Sequence, residues 1–461
     1  MTVGILFGFF LILIGCSVLS SSFLNKGVQL RRKISKSQLF PAVLIVTLAI
    51  LIFLIVYQTG WDETLWKLVF VFFLIFGLLQ LLSIYTYPNF FEGISSFLEN
   101  PSFFKRLLLF IAFLSLGLLL VGRSYIEPVP VIDDCESDSE LNVLCVVKNP
   151  EDIAVTPDNN FLIISEFGGI EPLEEMIPGN LSLLNLESLE ASTLSIVYSD
   201  KEWGEDSCNR NESIPFGPHG IDLIERDDGR WQLAVVDHIS EESIEMFELL
   251  YKGNKWSLEW KGCIKPSADK YLNDVSLKSD GSFFVTHMYD RHSTIADFLA
   301  IALFKYDTGH VMYWEPEVGL KKVNNSEGSM PNGIAYDQIN DTLYVNFNLG
   351  DKLTAIKGST GEFISSISLN SPDNLYLKDD SVWVTTLDHE ILDVALGCGS
   401  EFDTTCPLPF SVFELESSNL TIKSKKSFKE TVFGLPTVAV PVKNKIWLGS
   451  FNSNRIAFYY F

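Results

Sequence analysis

Metal-binding side chains recur at one position of a repeated phrase in the last two-thirds of the chain. The phrase is a polar residue followed by a short apolar strand, a turn and a second, more apolar strand. Five of its six copies start with a residue that can bind a metal: Glu151, His219, Asn273, Asn332 and Asp373. In three copies the next residue can do so as well: Asp152, Asp274 and Asn374. Carboxylate and amide oxygens without cysteine suit calcium, a hard cation that takes about six to eight oxygen ligands.

The elements that must position these residues are β-hairpins. Each phrase alternates apolar and polar residues and is enriched in β-branched and aromatic side chains. Successive phrases start 68, 54, 59, 41 and 63 residues apart, which leaves room for two further strands in each interval. Six units of four strands predict an all-β, six-bladed β-propeller. A β-sandwich, the alternative all-β fold, does not explain a phrase that repeats six times at this spacing.

In a propeller the first strand of each blade lines the central channel, so equivalent residues of successive blades meet around one axis. Carboxylates that share such a channel without a counter-charge are costly, and a bound cation removes that cost. A single Asp or Asn at a strand start is typical of a turn cap. Because five consecutive blades share the pattern, we predict a calcium site, which Pro436 of the sixth copy leaves incomplete on one side.

One helix is expected to interrupt the blades. The segment 292–304, HSTIADFLAIALF, has apolar residues at helical spacing, and Ser293 or Thr294 can cap its start.

The phrases also resemble a known family. PEDIAV, PHGI, LNDV, PNGIAY and PDNLYL are similar to motifs of the paraoxonase-like arylesterases and lactonases, as is VVDH, which places His238 19 residues after His219. These enzymes are calcium-dependent six-bladed propellers related to the gluconolactonase-like group. The resemblance runs from about Cys145 to Tyr460.

The resemblance implies two calcium ions. For a catalytic ion it implies the ligands Glu151, Asn273, Asn332, Asp373 and Asn374. For a structural ion it implies Asp152, Asp274 and the backbone carbonyl of Ile221. The chain departs from the family in three places: it lacks the C-terminal cysteine that closes the family's ring, it has THMY at 286–289 where the family has Asn-Asp-His, and it has four apolar runs in place of a single N-terminal leader. Ring closure therefore needs strand pairing or another bridge, and the substrate wall is altered.

The resemblance further implies that His219 is a general base acting on water and that His238 holds its other ring nitrogen. The predicted activity is calcium-dependent hydrolysis of a small, apolar lactone or aryl ester, in which the metal polarises the carbonyl group. His389 is a weaker candidate for a residue of the pocket wall. The alternative is a histidine in an exposed loop. Two alternatives stay open: a non-catalytic, calcium-stabilised binding module held at a membrane, and a condensing propeller like the strictosidine-synthase-like proteins. The calcium ligand set counts against the second.

The first third of the chain differs from the rest in charge and hydropathy. The 461 residues carry a formal net charge of −24. Residues 1–127 hold nine basic and five acidic residues, a balance of +4, so the remainder carries −28. So acidic a domain excludes a nucleic-acid partner. Four apolar runs predict transmembrane helices at 3–19, 40–57, 68–85 and 107–121.

This pattern predicts an α-helical membrane region at 1–127, followed by the propeller at 128–461. Basic residues in two of the loops between runs place those loops in the cytosol, so the propeller faces the lumen of a secretory-pathway membrane or the cell exterior. The first run can also be interpreted as a cleavable signal peptide, although it lacks a basic start. Five glycosylation sequons follow the last run: Asn180, Asn211, Asn324, Asn340 and Asn419.

Cysteine usage agrees with an exported domain. Of the seven cysteines, only Cys16 precedes residue 128, and six fit disulfides in an oxidising compartment. The expected pairing is local: Cys135–Cys145, Cys208–Cys263 and Cys398–Cys406. A zinc site is disfavoured because no pair has C-x-x-C spacing.

Overall fold

The computed structural model describes residues 2–26, 29, 102–125, 129, 132–169, 177–211, 213–239, 241–389, 393–394, 398 and 405–461. The chain forms two compact units, Met1–Glu127 and Pro128–Phe461. The first unit contains the helices α1 (Thr2–Val18) and α2 (Phe103–Tyr125), which pack against each other. Glycines allow this approach, because a Cβ atom on Gly8 would lie only 2.8 Å from the carbonyl oxygen of Gly117.

The prediction of four transmembrane spans finds no support in the structure. The first and fourth predicted spans, 3–19 and 107–121, fall on α1 and α2. The second and third, 40–57 and 68–85, lie outside the described residues. Within the described part of the chain, no helix is both long and apolar enough to cross a membrane.

The second unit is a six-bladed β-propeller, which confirms the predicted fold. A short strand, β1 (Asn142–Leu144), precedes the first blade. Blade 1 contains β2 (Pro150–Val155), β3 (Phe161–Glu166), β4 (Asn180–Asn185) and β5 (Ala191–Thr193). Blade 2 contains β6 (Ile196–Gly204), β7 (Pro218–Glu225), β8 (Trp231–Asp237), β9 (Ser243–Lys252) and β10 (Lys255–Ile264).

The remaining blades follow in chain order. Blade 3 contains β11 (Lys270–Leu277), β12 (Phe283–Asp290), β13 (His310–Glu315) and β14 (Gly319–Lys322). Blade 4 contains β15 (Pro331–Asp337), β16 (Thr342–Phe347), β17 (Lys352–Lys357) and β18 (Phe363–Ser368). Blade 5 contains β19 (Pro372–Lys378), β20 (Ser381–Leu387), β21 (Phe410–Glu416) and β22 (Ile422–Phe428). Blade 6 contains β23 (Pro436–Val442), β24 (Lys445–Ser450) and β25 (Ile456–Tyr460).

Each repeated phrase supplies the first hairpin of one blade. The strands that start the phrases contact their counterparts in both neighbouring blades, and they therefore form the innermost ring. Apolar residues fill the spaces between blades; between blades 1 and 2, for example, Ile163 packs with Leu233 and Phe247. Six separate sheets around one ring exclude the sandwich alternative.

Strand pairing closes the ring. β1 pairs antiparallel with β25, with Val143 opposite Ala457, so the start of the domain completes the last blade. This is one of the two closures that the sequence left open. Blade 2 departs from the predicted four strands, because β6 adds a fifth strand that runs parallel to β10.

The three local disulfides are confirmed: Cys135–Cys145, Cys208–Cys263 and Cys398–Cys406. The predicted helix is also present, as α3 (Ile295–Phe304). Thr294 is its N-cap, and a capping box with Asp297 satisfies the first backbone amides. Phe298 and Ile301 of α3 are buried in a cluster with aromatic residues of blade 3, while Leu299 faces outward.

Candidate functional site

Every innermost strand has a break in its pairing register where the predicted ligands lie. In blade 1 the register shifts between Pro150 and Asp152, which leaves Glu151 without a partner across the sheet. In each of the other five blades the register also shifts at this point, and two residues are skipped there, as between Pro331 and Ile334 in blade 4. A bulge of this kind redirects side chains and is common beside functional sites. Apart from Asp152, which pairs with Ser165, the side chains predicted to converge thus belong to residues that the sheets leave unpaired.

Two glycines in the phrases let the innermost strands approach each other. A Cβ atom on Gly220, which follows His219, would lie 2.5 Å from the carbonyl oxygen of Asn273. A Cβ atom on Gly333 would lie 2.4 Å from the Cα atom of Asn374. These distances exclude any side chain without movement of the neighbouring strand.

The structure brings ring residues of different blades into contact. Asn374 Nδ2 donates to Glu151 Oε1 at 2.8 Å, and that same oxygen lies 3.4 Å from His219 Nε2. The Nδ2 atom of Asn273 lies 3.5 Å from His219 Nε2. The eight polar residues of the ring are between 1% and 6% exposed: Glu151, Asp152, His219, Asn273, Asp274, Asn332, Asp373 and Asn374.

Four side-chain oxygens in this ring are buried without a hydrogen-bond partner among the described residues: Glu151 Oε2, Asn273 Oδ1, Asn332 Oδ1 and Asn374 Oδ1. Each belongs to a residue that the sequence assigned to the catalytic calcium. Buried acceptors without partners are costly, so a group of them needs a physical explanation. Oxygen atoms of amides and carboxylates are the ligands that calcium prefers, and the residues present fit that ion.

The pKa values of the ring carboxylates also favour a bound cation. Burial raises the pKa of Glu151 to about 8. Burial also raises the pKa of Asp373 well above its usual range, and the nearby Glu151 adds to this. A cation among these carboxylates would reverse both effects. Among the described residues, no group of three or more His, Cys, Asp or Glu side chains is arranged to hold a metal, and three of the five predicted ligands are asparagines.

The residues predicted for the structural calcium connect neighbouring blades. Asp152 Oδ2 accepts from the backbone amide of Ile221 at 2.7 Å, and Asp274 Oδ2 accepts from that of Ile334 at 2.9 Å. Burial, followed by carboxylate repulsion, raises the pKa of both aspartates well above the usual range. Each carboxylate oxygen keeps a second lone pair, so a cation can still be accommodated.

Blade 6 contributes a hydroxyl group to the ring. Pro436 starts its phrase, and the following Thr437 donates from Oγ1 to the backbone carbonyl of Glu151. In the strand register Pro436 corresponds to Pro150, Pro331 and Pro372, so Thr437, and not Pro436, lies at the ring position of blade 6. Its hydroxyl group fixes the backbone of a predicted ligand.

The two predicted histidines form a buried pair. His219 Nδ1 lies 2.6 Å from His238 Nε2. The ring of Phe167 stacks on His219 at 4.3 Å, and Tyr271 stacks on His238 at 4.4 Å. Burial is the main reason that the pKa of His219 lies well below its ordinary value, with the neighbouring His238 adding to it. A neutral imidazole that can accept a proton is what a general base requires.

Sequence reasoning missed the groups behind this pair. Glu242 Oε1 lies 2.9 Å from His238 Nδ1, and Glu242 Oε2 accepts from Arg291 at 2.6 Å. Both residues lie outside the repeated phrases. The spacing of four residues between His238 and Glu242 was the only signal in the sequence, and it is weak.

The altered wall lies next to the ring. Within 286–289, the sulfur of Met288 lies 3.6 Å from Asn273 Nδ2, and the hydroxyl of Thr286 accepts from the backbone amide of Asp274 at 3.0 Å. His389 is partly buried, and its Nδ1 lies 2.9 Å from the carbonyl oxygen of Pro409.

The asparagines of all five sequons are exposed: Asn180, Asn211, Asn324, Asn340 and Asn419.

An open cavity of about 350 Å³ lies beside α3, and its lining includes Tyr289 and Ile301 but no residue of the predicted ring. Tyr289 stacks on Tyr271, the ring that covers His238.

A known family matches this chain over more than half of its length. Residues 137–399 match the family described as Arylesterase. The chain therefore belongs to the arylesterase family, and at the family level it is an enzyme of the esterase type. No curated protein matches it.

Solved structures with similar architecture are distant. A gluconolactonase from Xanthomonas campestris is 12% identical, with 73% of this chain and 98% of that chain covered and a TM-score of 0.40. A luciferin-regenerating enzyme is 10% identical, with 68% and 92% covered and a TM-score of 0.41. Regucalcin from Agrobacterium tumefaciens, a calcium-binding protein, is 10% identical, with 72% and 93% covered and a TM-score of 0.38. Likenesses this distant carry no argument about the chemistry of this chain.

Proposed function

We propose that this protein hydrolyses lactones or aryl esters and needs calcium to do so. The observation that supports the proposal most is the position of His219. Its Nε2 atom lies beside Glu151 and Asn273, and each of these carries a buried oxygen that has no hydrogen-bond partner in the described part of the chain. A base and a set of cation ligands thus meet at one point.

The catalytic ion would be held by Glu151, Asn273, Asn332, Asp373 and Asn374. The second, structural ion would be held by Asp152, Asp274 and the carbonyl of Ile221. A calcium ion held there would supply a Lewis acid for the ester carbonyl and a positive charge for the oxyanion.

The side chains of the histidine pair handle the proton. His219 Nε2 takes a proton from the attacking water as general base. The imidazolium that results is stabilised through Nδ1 by the contact with His238. Phe167 and Tyr271 each cover one face of a histidine ring and favour an apolar substrate.

The test is a panel of γ-lactones, δ-lactones and aryl esters offered to the purified full-length chain with calcium and with a chelator. We expect turnover that the chelator abolishes. His219→Gln should lower turnover by roughly 10²–10⁴-fold, the usual size of general-base catalysis, and His238→Gln should cost less. His292→Gln, on an exposed loop, is the matched control and should match wild type.

Wild-type turnover by His219→Gln would remove that residue from the mechanism. Calcium binding without turnover of any substrate on the panel would favour the second candidate, a calcium-stabilised binding module. Met288 packed against Asn273 is the observation that favours this candidate, because it alters the substrate wall beside a proposed ligand.

We further propose that the propeller lies in the lumen of the secretory pathway or outside the cell. Three disulfides support an oxidising compartment, and the exposed sequon asparagines support a glycoprotein.

A further inference from the structure

A third charged group lies behind the histidine pair. Glu242 is 4% exposed, and its Oε1 atom is 2.9 Å from His238 Nδ1, on the side away from His219. We propose that Glu242 is a positioning residue that fixes which nitrogen of each histidine carries a proton. This inference rests on the proposed function, because its consequence is a His219 lone pair directed at the ring.

The hydrogen bonds determine the protons one after another. A carboxylate only accepts, so His238 carries its proton on Nδ1. The lone pair of neutral His238 is then on Nε2, which accepts from the Nδ1–H group of His219 at 2.6 Å. His219 Nε2 is left unprotonated, and this is the atom beside the Asn273 amide. A hydrogen bond at one nitrogen thus sets the tautomer of each ring.

The reversed arrangement is disfavoured. It would place a proton on His219 Nε2, directed at Glu151, and a lone pair on His238 Nδ1. That lone pair would face the carboxylate of Glu242 across 2.9 Å in a buried site. The gain would be a contact with Glu151 at 3.4 Å, longer than ordinary N–H···O hydrogen bonds. The shorter contact, between Glu242 and His238, therefore determines the tautomers of both histidines.

Glu242 is itself held in place on both oxygens. Oε1 also accepts from the backbone amide of Leu272 at 2.6 Å, and Oε2 accepts from Arg291 Nη1 at 2.6 Å. The other terminal nitrogen of Arg291 donates to the carbonyl oxygen of His238 at 2.8 Å. Glu242 comes from blade 2, whereas Leu272 and Arg291 come from blade 3. Two blades thus orient one carboxylate, as is usual for groups that orient a catalytic side chain.

The kinetic test uses a lactone or ester that the wild type hydrolyses. We expect Glu242→Ala to lower kcat by about 10–100-fold with KM changed by less than about twofold. Glu242→Gln keeps an oxygen acceptor and should recover part of the loss. Glu241 is the matched control, because it is adjacent, exposed and paired with Lys265. Glu241→Ala should behave as wild type.

A double variant separates positioning from a structural role. In the His219→Gln background, Glu242→Ala should add no further loss, because its effect passes through His219. Losses that multiply would overturn the proposal, as would wild-type turnover by Glu242→Ala.

A spectroscopic readout does not depend on turnover. The chain has six histidines, so ¹⁵N-histidine labelling of the full-length protein gives a spectrum that can be assigned by single substitutions. We expect one neutral tautomer each for His219 and His238 in the wild type and a mixture in Glu242→Ala, or in Glu242→Gln if the alanine variant does not fold. Unchanged tautomers in a folded variant would overturn the proposal. If the wild type hydrolyses nothing, the proposed function fails, and the spectra still decide the role of Glu242.

Discussion

At the scale of single residues, two further histidines carry a pH dependence of stability. His287 and His310 lie on neighbouring strands of blade 3 with their rings 5.1 Å apart. Burial is the main reason that the pKa of each falls from 6.5 to about 4. As the pH falls, the unfolded chain therefore takes up these protons first. The stability that the neutral rings contribute is complete above pH 6.5 and is lost as the pH falls towards 4.

We expect His287→Gln to flatten this part of the stability profile. The free energy of unfolding should be measured by urea titration at about pH 7 and about pH 4.5. Between them the wild type should lose up to about 3 kcal/mol more than the variant. His292→Gln should keep the wild-type slope, and an equally steep loss in His287→Gln would show that its pKa is not depressed.

The sequence predicted the ring residues and missed their supports for a physical reason. Glu151 and its equivalents recur at one position of a repeat, so their convergence follows from the fold. Glu242 occurs once, and its residue type does not distinguish it from the exposed Glu241 beside it. Only the packing of blade 3 against blade 2 makes one of the two a partner of His238.

At the scale of elements, the bulges of the innermost strands decide whether the ligands meet. Gly333 is a sensitive point, since an added Cβ atom would lie 2.4 Å from Asn374 Cα and 2.7 Å from the Asp373 carbonyl oxygen. Gly333→Ala should push the innermost strand of blade 5 away from that of blade 4. We expect it to destabilise the fold by about 1–3 kcal/mol, the usual cost of overpacking, and to weaken the stabilisation by calcium.

The control is a glycine at which an added side chain would be strained by a positive φ but would not be crowded by its neighbours. Gly229 lies in a turn with φ of +80°, and a Cβ atom there would meet nothing within 4 Å. Gly229→Ala should cost about 1 kcal/mol and leave the calcium response as in the wild type. The bulge argument fails if Gly333→Ala responds to calcium as strongly as Gly229→Ala does.

The sequence predicted those elements that are defined by residues close together in the chain. The hairpins of the phrases follow from alternation and turn residues, and α3 follows from its cap and apolar spacing. β6 and β1 were not predicted, because each is an edge strand defined by a partner distant in sequence: β10 for one and β25 for the other. β6 is also largely polar, so it lacks the alternation that marks a strand.

At the scale of the whole molecule, the compartment can be tested through glycans. Because all five sequon asparagines are exposed, expression in secretory cells should give a protein whose mobility shifts after endoglycosidase treatment. Asn211→Gln and Asn340→Gln should each remove one step of that shift. The proposed topology would be wrong if the band does not shift and if protease added outside sealed vesicles digests the propeller.

The number of blades could be predicted from the sequence because the repeat is a property of the whole domain. The family-like phrases also placed the ring. The spans predicted within residues 1–127 rested on hydropathy, and apolar runs do not by themselves establish spans. That part of the account has no support among the described helices.

The central claim is that the ring binds calcium. The most direct measurement is the melting temperature of the full-length chain in excess calcium and in chelator. A ligand that binds only the folded state stabilises it by RT ln(1 + [L]/Kd), about 4 kcal/mol at roughly a thousandfold excess over Kd. We predict a clear rise in Tm with calcium, a reduced rise in Asn374→Ala and a wild-type rise in the exposed control Asn419→Ala. A wild-type Tm that is the same in calcium and in chelator would contradict the claim.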